Sequence, residues 1–205
     1  MICDIFPTAV AIHNLDVEQT EFNKLIELST QKDLFIKNEN DNFFHKETYI
    51  FDTILKGSKL VEDIKKYVDQ YSLEILGEEP GLRHTQSWLN VNPPGTSHHK
   101  HFHGNSIISG VLYLQANEDT GHFQIHREEQ RFRHISKEIV NYNQYNYRYL
   151  FFEPKPFDLY LFPSSLLHSV EENKSELNRI SVSFNTFYQG DITTSANDLT
   201  EIRFK

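Results

Sequence analysis

Cysteine is nearly absent from this chain of 205 residues, which has Cys3 and no other. No internal disulfide can form, and a thiolate cluster on a metal is excluded; a reducing, cytoplasmic setting is the expectation. Long apolar runs are also missing, and nothing approaches the roughly 18 residues of a membrane-spanning helix. The opening Met1-Ile2-Cys3-Asp4-Ile5-Phe6-Pro7 shows neither the basic nor the apolar region of a secretory leader, so none is expected. Positive charge is scarce: 20 Lys and Arg against 29 Asp and Glu leave a formal net charge of −9. That balance speaks against broad nucleic-acid binding, though a local basic groove is compatible with it. No repeat or low-complexity linker divides the chain, and its length suits a single domain, 1–205, with a substantial core. Neither a Ser/His/Asp nor a Cys/His arrangement for nucleophilic catalysis is visible.

Histidine, by contrast, is concentrated. Residues 96–104 read Thr-Ser-His-His-Lys-His-Phe-His-Gly and hold four of the eleven histidines. His101 and His103 are two positions apart, and on a strand such residues point to the same face, which aims two imidazoles at one place. Such a pair suits a metal, although a histidine cluster by itself is more often a solvated loop. The signal is strengthened by order along the chain. His168 ends a later strand-like run, and Arg179-Ile180-Ser181 begins eleven residues beyond it.

Around these residues the pattern is helical first and then two-periodic. Ile5 to Ile12 reads as a strand, placed at an edge by Pro7. Asn14 to Asp16 offers helix caps, with Phe22, Leu25, Ile26 and Ser29 on one helical face. Residues 37–46 read as a loop. Ser58 caps a second helix whose stripe is Leu60, Val61, Ile64, Tyr67, Val68 and Tyr71. After the break at 77–81, Thr85 to Asn92 forms a strand with Trp88, Asn90 and Asn92 on one face. Ser106 to Gln115 and Phe157 to Phe162 read as buried strands, and Gly121 to Arg127 alternates. Arg179 to Asn185 also alternates, with Arg179, Ser181, Ser183 and Asn185 on one side and Ile180, Val182 and Phe184 on the other. That polar side is expected to line the inside of a β-barrel, where a small ligand is held. Residues 128–152, with four tyrosines from Tyr142 to Tyr149, read either as a lid over the barrel mouth or as a hairpin packed on its wall.

The ordered motifs are Trp88-Leu89-Asn90, Gly95, His101-x-His103-x-x-Ser106, Ser109-Gly110-Val111-x-Tyr113-Leu114 and Gly121. They continue with Leu161-Phe162-Pro163-Ser164-x-x-x-His168-x-Val170 and Arg179-Ile180-Ser181-x-Ser183-Phe184-Asn185-Thr186. Together they resemble a bacterial and phage family of 2-oxoglutarate- and Fe(II)-dependent oxygenases, distantly related to prolyl-4-hydroxylases. The likeness runs over nearly the whole chain. It implies a mainly β fold with flanking helices, a double-stranded β-helix (jelly-roll, cupin-like) barrel over 83–188 with helical support over 14–76. It implies Fe(II) held by His101 and His168, and 2-oxoglutarate whose far carboxylate meets Arg179, Ser181 and Tyr113, with Asn90 as a further pocket residue. It implies a dioxygenase that uses O2, hydroxylates a C–H bond of an unidentified peptide or small-molecule substrate, and releases succinate and carbon dioxide.

One departure stands out. The family pattern has a carboxylate where this chain has His103. No acid lies within a few residues, so His103 is expected as the third ligand, with His98 and His99 outside the ligand set. Three neutral imidazoles leave a divalent ion its full charge, which moves metal preference toward zinc or copper. A cupin-like three-histidine metalloenzyme that does not use 2-oxoglutarate is the alternative, and a non-catalytic metal-binding barrel a third reading.

Overall fold

The computed structural model describes residues 7–38, 42–127 and 138–190. Cys3, the start of the strand expected at Ile5 and the first part of the tyrosine-rich segment lie outside them. Strand β1 spans Ala11–Asn14 and helix α1 spans Gln19–Ser29; β2 (Phe35–Lys37) and β3 (Phe43–His45) follow, then helix α2 (Lys59–Tyr71). The remaining strands are β4 (Leu82–Asn92), β5 (His98–His101), β6 (Ile108–Gln115), β7 (Phe123–His126) and β8 (Tyr149–Phe152). They end with β9 (Asp158–Pro163), β10 (His168–Val170) and β11 (Arg179–Tyr188).

Two sheets result. The larger runs in the order β1-β9-β6-β11-β4-β3-β2, the smaller β5-β10-β7-β8. Among the described residues no strand pair joins them, so the expected barrel is two facing sheets rather than a closed ring. Period-two alternation decides what each face of the large sheet does. Leu89, Leu112, Leu159, Leu161, Ile180, Val182 and Phe184 point one way, into a cluster with Leu25, Leu60, Ile64 and Val68 of the two helices. Val111, Tyr113, Tyr160 and Phe162 point the other way and meet Phe123, with Ile125, Phe152 and Val170, of the small sheet. Each fully buried aliphatic side chain contributes roughly 1.5–3 kcal/mol by leaving water.

Helix α2 follows its sequence pattern. Ser58 Oγ accepts from Val61 N at 3.3 Å, and Leu60, Ile64, Val68 and Tyr71 are buried. A second cap comes from α1: buried Glu21 Oε1 accepts from Leu60 N at 3.0 Å, which puts a carboxylate at the positive end of α2. A π-helical turn closes α2 and ends at Gly77, whose φ of 72° is left-handed.

Several local expectations change. Asn14 does not cap α1; it ends β1, and its Nδ2 bonds Pro156 O and Asp158 Oδ1. The position before α1 is Glu18, which makes no side-chain cap. The expected loop at 37–46 contains β3, because Phe43 and Phe44 pair with Val91 and Asn90 and extend the sheet edge. The end of the tyrosine-rich segment is a strand, β8, paired with β7; Tyr142 and Tyr145 are exposed, and Tyr149, also exposed, has its ring centroid 5.9 Å from that of His126. Among the described residues no helix is long and apolar enough to cross a membrane.

Candidate metal centre

The antiparallel pairing of β10 with β5 sets His168 directly opposite His101, with ring centroids 4.2 Å apart. The expected strand stops at His101. His103 lies just beyond it, where its backbone N donates to Ser164 O at 2.9 Å and brings the ring back to the group. Its ring centroid is 5.0 Å from that of His101 and 5.1 Å from that of His168. One nitrogen from each of the three lies within 4.8 Å of the others, near enough for one ion to draw on all three. The metal candidates named by the spacing are therefore together, although the reason lies in the loop and not in strand alternation.

Backbone carbonyls fix two of the tautomers. His101 Nδ1 lies 2.8 Å from His99 O, and His168 Nδ1 lies 2.8 Å from Leu166 O. A carbonyl can only accept, so each Nδ1 carries the proton and each Nε2 keeps its lone pair. Burial, reinforced by the neighbouring imidazoles, pushes His103 down to about 4 and His168 down to about 3. His101 is lowered as well, chiefly by burial. All three are neutral at pH 7, as metal ligands must be. Among the described residues the groups close enough to share an ion are made of histidine alone, and no carboxylate joins them. A second such group is His98, His99 and His101; the His98 ring stacks on His101 at 4.6 Å.

The cosubstrate candidates form rows across the inner face of the large sheet. Ser181 of β11 faces Asn90 on β4 and Tyr113 on β6; Arg179 faces Asn92. Arg179 is 1% exposed, and no carboxylate pairs with it among the described residues. Its Nη1 donates to Thr120 O and, at 3.2 Å, to Glu171 O, while Nη2 is buried with no partner. Burial lowers its pKa, yet a guanidinium stays charged, so a buried cation here has an unused donor. Tyr113 is beside it: burial raises the phenol to about 12, so it remains a donor. A dicarboxylate that projects one carboxyl between Arg179, Tyr113 and the hydroxyl of Ser181 meets that unfilled demand. Asn90 faces inward too, but its amide is engaged, accepting from Trp88 Nε1 at 3.1 Å and donating to Ser183 Oγ at 2.9 Å. It thereby holds Trp88, whose ring centroid is 6.0 Å from that of His103.

Sequence reasoning missed the clamp on Arg179. A turn after β6, in which Thr120 N donates to Asn117 O at 3.1 Å, delivers the Thr120 carbonyl. Gly121 has φ 88°, and a Cβ there would meet Glu171 O at 2.5 Å, so glycine lets the two carbonyl-bearing segments close on the guanidinium.

Residues 86–185 match the family model described as "Putative 2OG-Fe(II) oxygenase". No curated protein matches the chain in sequence. Solved structures share the fold. A Pseudomonas putida prolyl-4-hydroxylase aligns with TM-score 0.57 at 14% identity, over 89% of this chain and 94% of its own. The alpha ketoglutarate dependent carbocyclase SnoK from nogalamycin biosynthesis aligns with TM-score 0.59 at 11% identity, over 90% of this chain and 81% of its own. The epimerase SnoN, solved with Fe3+, alpha ketoglutarate and nogalamycin RO, aligns with TM-score 0.61 at 9% identity, over 88% of this chain and 79% of its own. Across residues 86–185, where three histidines converge and the buried Arg179 keeps one donor unpartnered, the chain carries a domain of the 2OG-Fe(II) oxygenase family.

Proposed function

We propose that the protein is an Fe(II)/2-oxoglutarate-dependent dioxygenase in which His101, His103 and His168 hold the metal and Arg179, Ser181 and Tyr113 hold the cosubstrate. The observation that carries this reading is the unpartnered, buried Nη2 of Arg179 on the inner face of the large sheet, together with the neutral histidine group carried by the small sheet and the loop after β5. When bound, iron with 2-oxoglutarate and O2 supplies the oxidation of a substrate C–H bond, with succinate and carbon dioxide as co-products.

The chain's own residues orient and shield that chemistry. His101 and His168 offer fixed Nε2 lone pairs, while each Nδ1 keeps its proton and donates it to a backbone carbonyl. Tyr113 and Ser181 would donate to the far carboxylate of the cosubstrate and Arg179 would neutralise it, so that these three residues orient it. Phe162 and Phe123, with ring centroids 4.8 and 5.9 Å from His168, cover one side of the site and keep water from it. Asn90 positions Trp88 against His103. Hydroxylation is the reaction proposed, although the similar folds of a hydroxylase, a carbocyclase and an epimerase leave the outcome to the substrate's placement.

His103 in the acid's place favours one rival, a three-histidine metalloenzyme that does without 2-oxoglutarate. Anaerobic titration of 2-oxoglutarate into the Fe(II)-loaded protein separates the two. A visible metal-to-ligand band that grows with cosubstrate is expected. Iron bound with no band at millimolar cosubstrate would transfer the assignment to the rival.

A further inference from the structure

Beyond the histidine group, on the side away from Arg179, the inner face of the large sheet opens into a cleft lined by neither Arg179, Ser181, Tyr113 nor Asn90. The rows of that face run from Asn92 and Arg179 through Asn90, Ser181 and Tyr113, then Trp88, Ser183 and Val111, to Gln86, Asn185 and Ser109. Six residues of strand separate Arg179 from Asn185, roughly 20 Å at 3.3 Å each. The histidine group lies between these ends, because His103 is beside Trp88 and the chain leaves it through Gly104 and Asn105. The cleft has a volume of about 460 Å³ and is lined by Tyr49, Arg83, Thr85, Gln86, Asn105 and Asn185. That volume is in the range of small-molecule sites, but the lining is hydrophilic where such sites are usually apolar.

Two features give the cleft a chemical preference. Arg83 is its one charged lining residue, and this exposed guanidinium makes no salt bridge among the described residues. Asn185, 7% exposed, is held from behind: Ser109 Oγ donates to its Oδ1 at 2.8 Å, and Ser109 also bonds Ser164 Oγ at 2.8 Å. With Oδ1 engaged, the Nδ2 hydrogens are what Asn185 offers the cleft. Ser164 is the same residue whose carbonyl takes the backbone N of His103, so the polar floor of the cleft and the third metal ligand are tied to one support. Gln86 and Asn105 add amide donors and acceptors, and no carboxylate lines the space to repel an anion.

We propose, resting on the oxygenase reading above, that this cleft is the site of the oxidised substrate, and that the substrate is a hydrophilic small molecule bearing an anionic group, carboxylate or phosphate, which pairs with Arg83. The metal then lies between two anion-binding arginines, Arg179 for the cosubstrate and Arg83 for the substrate, so the two molecules approach the metal from opposite ends of one sheet face.

The test uses calorimetry on the Fe(II)-loaded protein, kept anaerobic and saturated with 2-oxoglutarate so that Arg179 is occupied. Two matched pairs of probes are titrated: glucose 6-phosphate against glucose, and N-acetylglutamate against N-acetylglutamine. In at least one pair the anionic member is expected to bind tenfold or more tightly than its neutral partner, and which pair discriminates tells phosphate from carboxylate. Arg83→Gln should erase that preference, Arg83→Lys should keep most of it, and both variants should bind 2-oxoglutarate as the wild type does. Equal binding within both pairs, no binding by any probe, or a preference that survives Arg83→Gln overturns the proposal. Repeating the titrations without iron and 2-oxoglutarate keeps the two ideas apart. Discrimination that depends on Arg83 in a protein that fails to bind 2-oxoglutarate supports the cleft and sinks the cosubstrate assignment instead.

Discussion

Replacing Arg179 with Met separates binding from stability, because the two respond to different parts of the same side chain. In the ligand-free protein the guanidinium is buried, with Nη1 on two backbone carbonyls and Nη2 on nothing. Arg179→Met strands the carbonyls of Thr120 and Glu171 but also removes a buried cation with an unsatisfied donor. Each effect is on the order of 1–3 kcal/mol and they oppose one another, so the unfolding free energy should stay within about 2 kcal/mol of wild type. Cosubstrate binding has no such offset. Losing a buried charge-assisted pair costs about 2–4 kcal/mol, which raises the Kd for 2-oxoglutarate roughly thirtyfold to a thousandfold. In thermal unfolding of the metal-loaded protein, 2-oxoglutarate at a hundred times the wild-type Kd stabilises by about 2.7 kcal/mol, or roughly 5–10 °C in Tm for a chain of this size. At that concentration the variant should gain about 3.5 °C or less. A variant that gains as much as wild type would refute the role given to Arg179. One that unfolds far below wild type without ligand would show the guanidinium to be a structural cation.

Further expectations concern the metal, the acid range and the arginine clamp. His103→Ala should lose bound metal, measured by elemental analysis after gel filtration, whereas His103→Asp should retain it and shift preference from zinc and copper toward iron; full metal in His103→Ala would remove His103 from the ligand set. Burial between Phe51 and Phe184 pushes His84 down to about 4, and its Nε2 has no partner. Its folded-state pKa is below the unfolded 6.5, so its contribution is complete above pH 6.5 and lost as pH falls toward 4. Between pH 7.5 and 5 this removes roughly 2 kcal/mol, and urea midpoints of His84→Phe should show a correspondingly shallower pH dependence. Gly121→Ala places a methyl at 2.5 Å from Glu171 O in a left-handed backbone, which should cost about 1–3 kcal/mol of stability and weaken 2-oxoglutarate binding. Unchanged affinity in that variant would mean the carbonyl clamp does not seat Arg179.

The row of Asn90, Ser181 and Tyr113, with Arg179 beside it, was legible because strand alternation is strictly two-periodic and the apolar partners Ile180, Val182 and Phe184 mark the opposite face. Helix α2 was legible from Ser58 and the spacing of Leu60, Ile64 and Val68. The place of Asn14 at the end of β1 was not, since an amide before a helix and an amide ending a strand look alike until Asp158 arrives from 144 residues away. β3 hid in a polar segment because its strand character comes from pairing with β4 at the sheet edge. The convergence of His103 with His101 and His168 was anticipated for a reason that does not apply, as a backbone bond to Ser164 does what strand alternation was expected to do. The cleft beside Arg83 left no trace in any one window. Tyr49, Arg83, Asn105 and Asn185 come from separate segments, and only tertiary packing gathers them.

The two histidines locked by carbonyls have a consequence for how this centre tolerates change. In each, the acceptor belongs to the residue two positions earlier, His99 for His101 and Leu166 for His168. The lock is main-chain and local, so no substitution of a side chain elsewhere deletes it, and residues 99 and 166 can themselves be exchanged without removing the acceptor. Where metal sites depend on a distant carboxylate to choose the imidazole tautomer, these two imidazoles inherit theirs from the path of the backbone. Such a centre can drift in its surroundings, or be transplanted with its two short strands, and still present the same pair of lone pairs.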